Sequence, residues 1–129
     1  MEFCQIQLNY LDYEFQAAKD KMEVLKNLNI PVWVMEPLRG GKLVKSLENF
    51  AEKLNELRPN VNGVEWAFRF VQTFPEVKVI LSGMSNMEQL KQNIEIFNEY
   101  KPLNENEFEV LKTIGHDMIS GNVLPCTAC

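Results

Sequence analysis

The sequence predicts an α/β fold in which short parallel strands alternate with helices. Three runs have strand character: residues 3–9 (FCQIQLN), 32–36 (VWVME) and 77–83 (VKVILSG). Between and after them, apolar residues recur every three to four positions, the spacing of one face of a helix. The connections between strands are far longer than a hairpin turn. Strands joined by helical crossovers pair in parallel, with right-handed connections.

The elements run as follows along the chain. In residues 3–9 the side chains alternate, with Cys4, Ile6 and Leu8 on one face and Gln5, Gln7 and Asn9 on the other. Residues 13–28 carry Phe15, Ala18, Met22 and Leu25 at helical spacing, and Asp12 stands where it could cap that helix. Asn29, Ile30 and Pro31 end it and lead into the second strand, bounded by Pro31 and Pro37. A loop is expected over residues 38–42, then a helix over 46–57 that stops before Pro59. Residues 62–65 (NGVE) have the pattern of a capping box and open a helix with Val64, Ala67, Phe68, Val71 and Phe74 on one face. After the third strand, residues 85–88 (SNME) form a second such pattern, before Leu90, Ile94 and Phe97. Residues 104–107 form a third, before Phe108, Leu111, Ile114 and Met118. Gly121 and Pro125 break the last stretch of the chain.

The amide face of the first strand bears on the kind of sheet. In an open doubly wound sheet both faces are covered by helices and read apolar. Gln5, Gln7 and Asn9 need polar company instead, because an unpaired buried amide costs about 1–3 kcal/mol. A solvated edge strand and the mouth of a barrel that holds a polar ligand both supply it, and the alternation alone favours neither.

Composition removes several function classes. The 129 residues are 46% hydrophobic and 24% charged, which is globular rather than disordered. A net charge of −5 with scattered cations argues against a nucleic-acid or anionic-membrane surface. No apolar run approaches the roughly 18–20 residues of a membrane span. The opening residues lack the basic and apolar regions of a signal peptide, so a cytoplasmic location is expected. Three cysteines, two of them in one C-x-x-C, do not make a secreted disulfide framework.

Three segments then resemble, in order, successive strand ends of the aldo-keto reductase barrel. Residues 4–10 (CQIQLNY) are similar to the family's sixth strand, where a Gln amide packs against the nicotinamide carboxamide. Residues 35–43 (MEPLRGGKL) resemble the aromatic-Ser-Pro-Leu-Gly-Gly-Gly segment after the seventh strand. Residues 81–90 (LSGMSNMEQL), with Asn93 downstream, resemble the eighth-strand loop that holds the adenosine end of the dinucleotide. Residues 65–70 (EWAFRF) resemble the helix before that strand. The wording is closest to the branch with an iron–sulfur tail, and residues 124–129 (LPCTAC) resemble the opening of its cysteine-rich segment.

The resemblance implies a partial (β/α)8 TIM barrel, the last three parallel strands of eight with their flanking helices. Residues 1–121 would be the C-terminal half of the barrel, and 122–129 the truncated start of the tail. It implies NAD(P)H-dependent reduction of small carbonyls, with this chain on the cofactor-binding side. The family's catalytic Asp, Tyr, Lys and His lie on earlier strands, so no catalytic residue maps here, and His116 is expected on the side of the last helix. The missing N-terminal half, or self-association, would complete the barrel. The alternative is a non-catalytic stand-alone α/β module or an inactive truncated gene product.

The implied cofactor residues are Gln5 and Met35 at the nicotinamide, Pro37, Leu38, Arg39 and Gly41 near the phosphates, and Ser82, Gly83, Met84, Ser85, Gln89, Gln92 and Asn93 toward the adenosine. An amide can donate and accept at once, which suits a carboxamide, although a structural hydrogen bond would use Gln5 equally well. A thioether can lie against a flat ring, but ordinary packing also explains Met35. Glycine-rich loops let backbone amides approach phosphate, and Arg39 could pair with it. Two departures stand out. Glu36 replaces a common Ser, and Gly83, Met84, Ser85 and Gln89 stand where members that prefer NADPH often carry Lys or Arg. The choice between NADP and NAD stays open. Cys126 and Cys129 have the spacing of half an iron–sulfur or zinc site, which two thiolates cannot close. Cys4 reads as a small buried hydrophobe.

Overall fold

The structure is a computed structural model and describes residues 1–121. Three strands, β1 (Cys4–Gln7), β2 (Val32–Met35) and β3 (Val77–Ile80), form one sheet in the order β1-β2-β3. Both pairings are parallel, as the crossover lengths require. Each strand is shorter than its sequence pattern, although Leu8 N–H still donates to the Met35 carbonyl and Leu81 N–H to that of Val34. In β3 a register shift opposite Val32 and Trp33 leaves Lys78 without a counterpart, so Val77 aligns with Val32 and Val79 with Trp33.

The period of two divides the sheet as its sequence predicts. Ile6, Val32 and Val34 are buried on the helix side, with Val77 and Ile80 packed beside them. Gln5, Trp33, Met35 and Val79 share the opposite, more open face, where Phe3 stacks on Trp33 at 4.0 Å. Cys4 lies half-buried against the core.

The helices are more segmented than the periodicity predicts. The helix expected over 13–28 is two: α1 (Asp12–Phe15) and α2 (Ala18–Asn27), separated at Ala17 in the left-handed region at φ 51°. Asp12 does not cap. It is the first residue of α1, and the side-chain carbonyl of Asn9 accepts from the Leu11 and Asp12 N–H groups in its place. The helix expected from 46 begins at Lys42 as α3 (Lys42–Leu47), passes through one 3₁₀ turn, and continues as α4 (Ala51–Leu57).

The sequence pattern of α5 (Gly63–Gln72) predicts one buried face, yet every residue from Trp66 to Gln72 is buried. Phe68 meets Phe97 of α6 (Met87–Phe97), and Phe70 stacks on Phe108 of α7 (Glu105–Ser120) at 4.9 Å. The burial includes Arg69, whose guanidinium is satisfied by Glu65, Gln72 and the Glu99 carbonyl. Asn62 caps α5 on the Glu65 N–H, but the Glu65 carboxylate turns to Arg69 rather than closing a box. The complete capping box is at Asn104 and Glu107. Glu107 also takes a bidentate pair from Arg58, at 2.9 and 2.7 Å, fastening the end of α4 to the start of α7.

Two close approaches seat α7 and α3 on the first loop. A Cβ at Gly115 would lie 2.4 Å from the Tyr10 carbonyl oxygen, a backbone atom that cannot swing aside. The Tyr10 hydroxyl donates to the Leu43 carbonyl at 2.7 Å, and burial pushes its ionisation well above the ordinary value of 10.

Gly115→Ala should therefore cost about 3 kcal/mol, the upper end for overpacking. Urea denaturation reads this, and a loss under about 0.5 kcal/mol would mean that α7 does not rest on Tyr10. The folded-state pKa of Tyr10 is raised, so its stabilising contribution is whole below pH 10 and falls as pH rises beyond it. Tyr10→Phe should lower stability by about 1 kcal/mol at neutral pH and flatten the decline above pH 10, as followed by thermal melts across that range.

Candidate functional site

The loops that leave β2 and β3 at their C-terminal ends face one another across a cleft of about 820 Å³. From the β2 side, Met35, Pro37, Leu38, Arg39 and Gly41 line it. From the β3 side and the first turns of α6 come Ser82, Gly83, Met84, Ser85, Gln89, Gln92 and Asn93. Every expected cofactor residue except Gln5 thus borders one cavity. Gln5 stands beside it on the open sheet face, its Nε2 3.4 Å from the Met35 sulfur.

The β2 loop is held in an unusual backbone. Glu36 and Arg39 have positive φ (54° and 48°), as do Gly40 and Gly41 (61° and 84°). Such conformations cost a non-glycine residue about 1 kcal/mol or more and persist when surroundings over-determine them. Within the loop Arg39 N–H donates to the Glu36 carbonyl and Gly41 N–H to that of Leu38.

The surroundings are a buried polar knot that the sequence pattern does not announce. Asn9 Nδ2 donates to the Glu36 carbonyl at 2.9 Å and to Asp12 Oδ2 at 2.6 Å. With its Oδ1 accepting two backbone N–H groups, all four hydrogen-bonding positions of the Asn9 amide are in use. Gln7 Nε2 reaches the same Asp12 oxygen at 2.7 Å, and Arg39 Nε lies 3.2 Å from it. Asp12 is fully buried and its other oxygen has no partner among the described residues. Arg39 also sits over the Phe15 ring, 5.8 Å from its centre. The polar company of Gln7 and Asn9 is therefore a carboxylate of this chain, while among the described residues Gln5 meets only the Met35 sulfur. An Asp three residues after an Asn, with an Arg in the next strand's loop, is the signal that could have found it.

The β3 loop is tied to α6. Asn86, not Ser85, is the cap: it accepts from Gln89 N–H, while the Gln89 side chain folds back to the Ser85 N–H at 2.8 Å. Asn93 is buried and donates to the Ser82 hydroxyl at 3.2 Å. The charged residues of the lining are Glu36, which is exposed, and Arg39.

Proton-donor candidates lie elsewhere. Tyr10 is on the helix side of the sheet, Tyr13 is in the aromatic cluster of Phe70, Phe74 and Phe108, and Tyr100 donates to the Gln72 carbonyl. His116 is exposed on α7, 3.9 Å from Asp117. Among the described residues no group of His, Cys, Asp and Glu could hold a metal ion, and Cys126 and Cys129 lie outside them. No helix among the described residues is long and apolar enough to cross a membrane.

Residues 1–116 match the Aldo/keto reductase family. No curated protein matches the chain. Among solved structures it is similar to the aldo-keto reductase AKR11C1 from Bacillus halodurans. The holo form gives a TM-score of 0.67 at 18% identity, covering 85% of this chain and 41% of that one. The apo form gives 0.70 at 17%, covering 88% and 43%. A thermostable aldo-keto reductase, Tm1743, solved with the inhibitor epalrestat, gives 0.67 at 17%, covering 85% and 38%. The likeness extends to the three parallel strands and their flanking helices as part of a (β/α)8 barrel. The chain spans about two fifths of the length of these structures.

The polar knot predicts coupled substitutions. Asp12→Ala strands two amide donors and unpairs Arg39, and should cost about 3 kcal/mol. Combining it with Arg39→Ala should cost less than the two single losses together, by about 1 kcal/mol or more. Additive losses in a double-mutant cycle would show that the pair does not hold the loop.

Proposed function

The chain belongs to the aldo/keto reductase family, and from that premise we propose that it supplies the dinucleotide-binding side of an NAD(P)H-dependent oxidoreductase that reduces small carbonyls. The observation that carries this is the cleft at the C-terminal strand ends, where parallel α/β folds bind ligands. Its volume suits a small-molecule site, which runs about 300–1,000 Å³.

The residues fit a dinucleotide. Arg39 offers its two Nη groups, which carry no hydrogen bond among the described residues, while Nε is held by Asp12. Ser82, Gln92 and Asn93 bring polar groups to the opposite wall. Gln5, on the open sheet face, and the Met35 thioether at the end of β2 lie together, an amide and a soft apolar surface for a carboxamide-bearing ring. The bound dinucleotide would supply the hydride. This chain would orient it and exclude water, and the proton donor would come from outside these three strands, since among the described residues no tyrosine lines the cleft.

Completion of the barrel falls to a partner, either the N-terminal half or a second copy. Among the described residues β1 and β3 each pair on one edge only, and Phe3, Trp33 and Val79 on one sheet face are only partly buried. Unpaired edges are templates for other strands, and closure of a barrel removes them. Cys126 and Cys129 would begin an iron–sulfur tail of the whole protein, completed by ligands beyond them, and its compartment would be the cytoplasm. The absence of a tyrosine from the cleft lining favours the alternative of a non-catalytic module for the chain on its own.

The purified chain should bind nicotinamide dinucleotide without reducing carbonyls, and Gln92→Ala together with Arg39→Ala should weaken binding at least about tenfold. Absence of binding in calorimetry would overturn the reading. In light scattering coupled to size exclusion at micromolar concentration, the chain should elute as a dimer or larger, and a thermally cooperative monomer would favour the non-catalytic module.

A further inference from the structure

Arg39 lines the cleft, but the carboxylate it pairs with does not. We propose that Asp12 is a positioning residue, which holds the Arg39 Nη groups toward the cleft as a preset contact for a ligand phosphate, an inference that rests on reading the cleft as a dinucleotide site.

Arg39 is held at its backbone, its Nε and its face. The backbone is left-handed at φ 48°, and its N–H donates to the Glu36 carbonyl. Asn9 Nδ2 donates to the same carbonyl, which ties the loop to the segment after β1. Nε lies 3.2 Å from Asp12 Oδ2, and the guanidinium sits 5.8 Å from the centre of the Phe15 ring. Asp12 is itself pinned, because Gln7 and Asn9 donate to that oxygen at 2.7 and 2.6 Å.

The way the pair meets leaves the arginine available. A guanidinium and a carboxylate bind most strongly fork to fork, through two parallel bonds, as Arg58 and Glu107 do. Asp12 instead meets Arg39 at Nε. Its Oδ1 has no partner, and the Arg39 Nη groups carry no hydrogen bond among the described residues. The arginine side chain is nonetheless only 19% exposed, so a mostly buried cation keeps its forked end free. An arginine that is already fixed loses less freedom when it clamps an anion, and the binding is tighter for it. Charge works the other way. The Asp12 carboxylate offsets the Arg39 cation, and by Coulomb's law alone it weakens the hold on an anion. Positioning and charge therefore predict opposite signs when that carboxylate is neutralised.

Titration calorimetry with NADH on the wild-type chain, Asp12→Asn, Arg39→Ala and the double variant separates the two. Asp12→Asn keeps the shape of the side chain and removes its charge. It should weaken NADH binding about tenfold, where charge alone would tighten it. In the Arg39→Ala background the same substitution should change affinity by about twofold or less, since Asp12 acts only through Arg39. Equal weakening in both backgrounds overturns the proposal, because the carboxylate then serves the fold alone. Unchanged or tighter binding by Asp12→Asn also overturns it and leaves the dinucleotide site standing. If circular dichroism shows Asp12→Asn unfolded, the wild-type chain decides. In side-chain NMR without ligand, the Arg39 Nε–H should exchange slowly with water, as those of Arg58 and Arg69 do through their own carboxylates, and fast exchange overturns the proposal. Absence of NADH binding by the wild-type chain overturns the reading of the cleft, and the proposal with it.

Discussion

Two side-chain amides and a guanidinium, from three segments, converge on one oxygen of a fully buried carboxylate, Asp12 Oδ2. Gln7 closes β1, Asn9 starts the first loop, and Arg39 belongs to the loop after β2. Taking a carboxylate out of water costs several kcal/mol unless donors replace the lost hydration. The donors at Asp12 exist only when β1, α1 and the β2 loop are in their native places. The carboxylate thus penalises any arrangement in which the loop drifts from the strand. It explains how Glu36 and Arg39, neither of them glycine, stay in the left-handed region, and through them it shapes one wall of the cleft.

The same logic recurs on the helix side with a different sign of charge. Arg69 is buried in the middle of α5 and is satisfied by Glu65 one turn before, Gln72 one turn after and a carbonyl before α7. α5 can be surrounded because its one buried charge has its partners close at hand, two of them on α5 itself. That frees its aromatic residues to contact α1, α6 and α7 together, and it places β3, close behind it in the chain, against β2. The cleft's second wall is set by this packing, since the β3 loop hangs between β3 and α6.

The two faces of the sheet divide the labour. The helix face is closed by Ile6, Val32 and Val34, and it supplies the stability of the unit. The opposite face keeps Trp33, Met35, Val79 and Gln5 in reach of whatever covers it. The unit thus has one finished face and one open face, with its cleft at the strand ends.

Much of this is legible in the sequence because it depends on local patterns. The alternation in residues 3–9 determines which side chains share a face, since a period of two allows no other division. Long helical crossovers require parallel pairing in β1-β2-β3, and the Asn–Glu spacing at 104 and 107 marks the start of α7. The cleft residues are named by the resemblance of the β2 and β3 loops, whose backbone demands glycine only at Gly40 and Gly41. Tertiary structure decides the rest. Asp12 has the sequence position of a helix cap, and one position cannot reveal that Arg39, remote in sequence, will lie beside it. The one-faced pattern of α5 gives no warning of burial all round, which depends on where α6 and α7 pack. The early start of α3 at Lys42 comes from the left-handed turn that the polar knot stabilises at Arg39 to Gly41. Periodicity reports which face a side chain is on; which distant charge meets it is set only when the chain closes on itself.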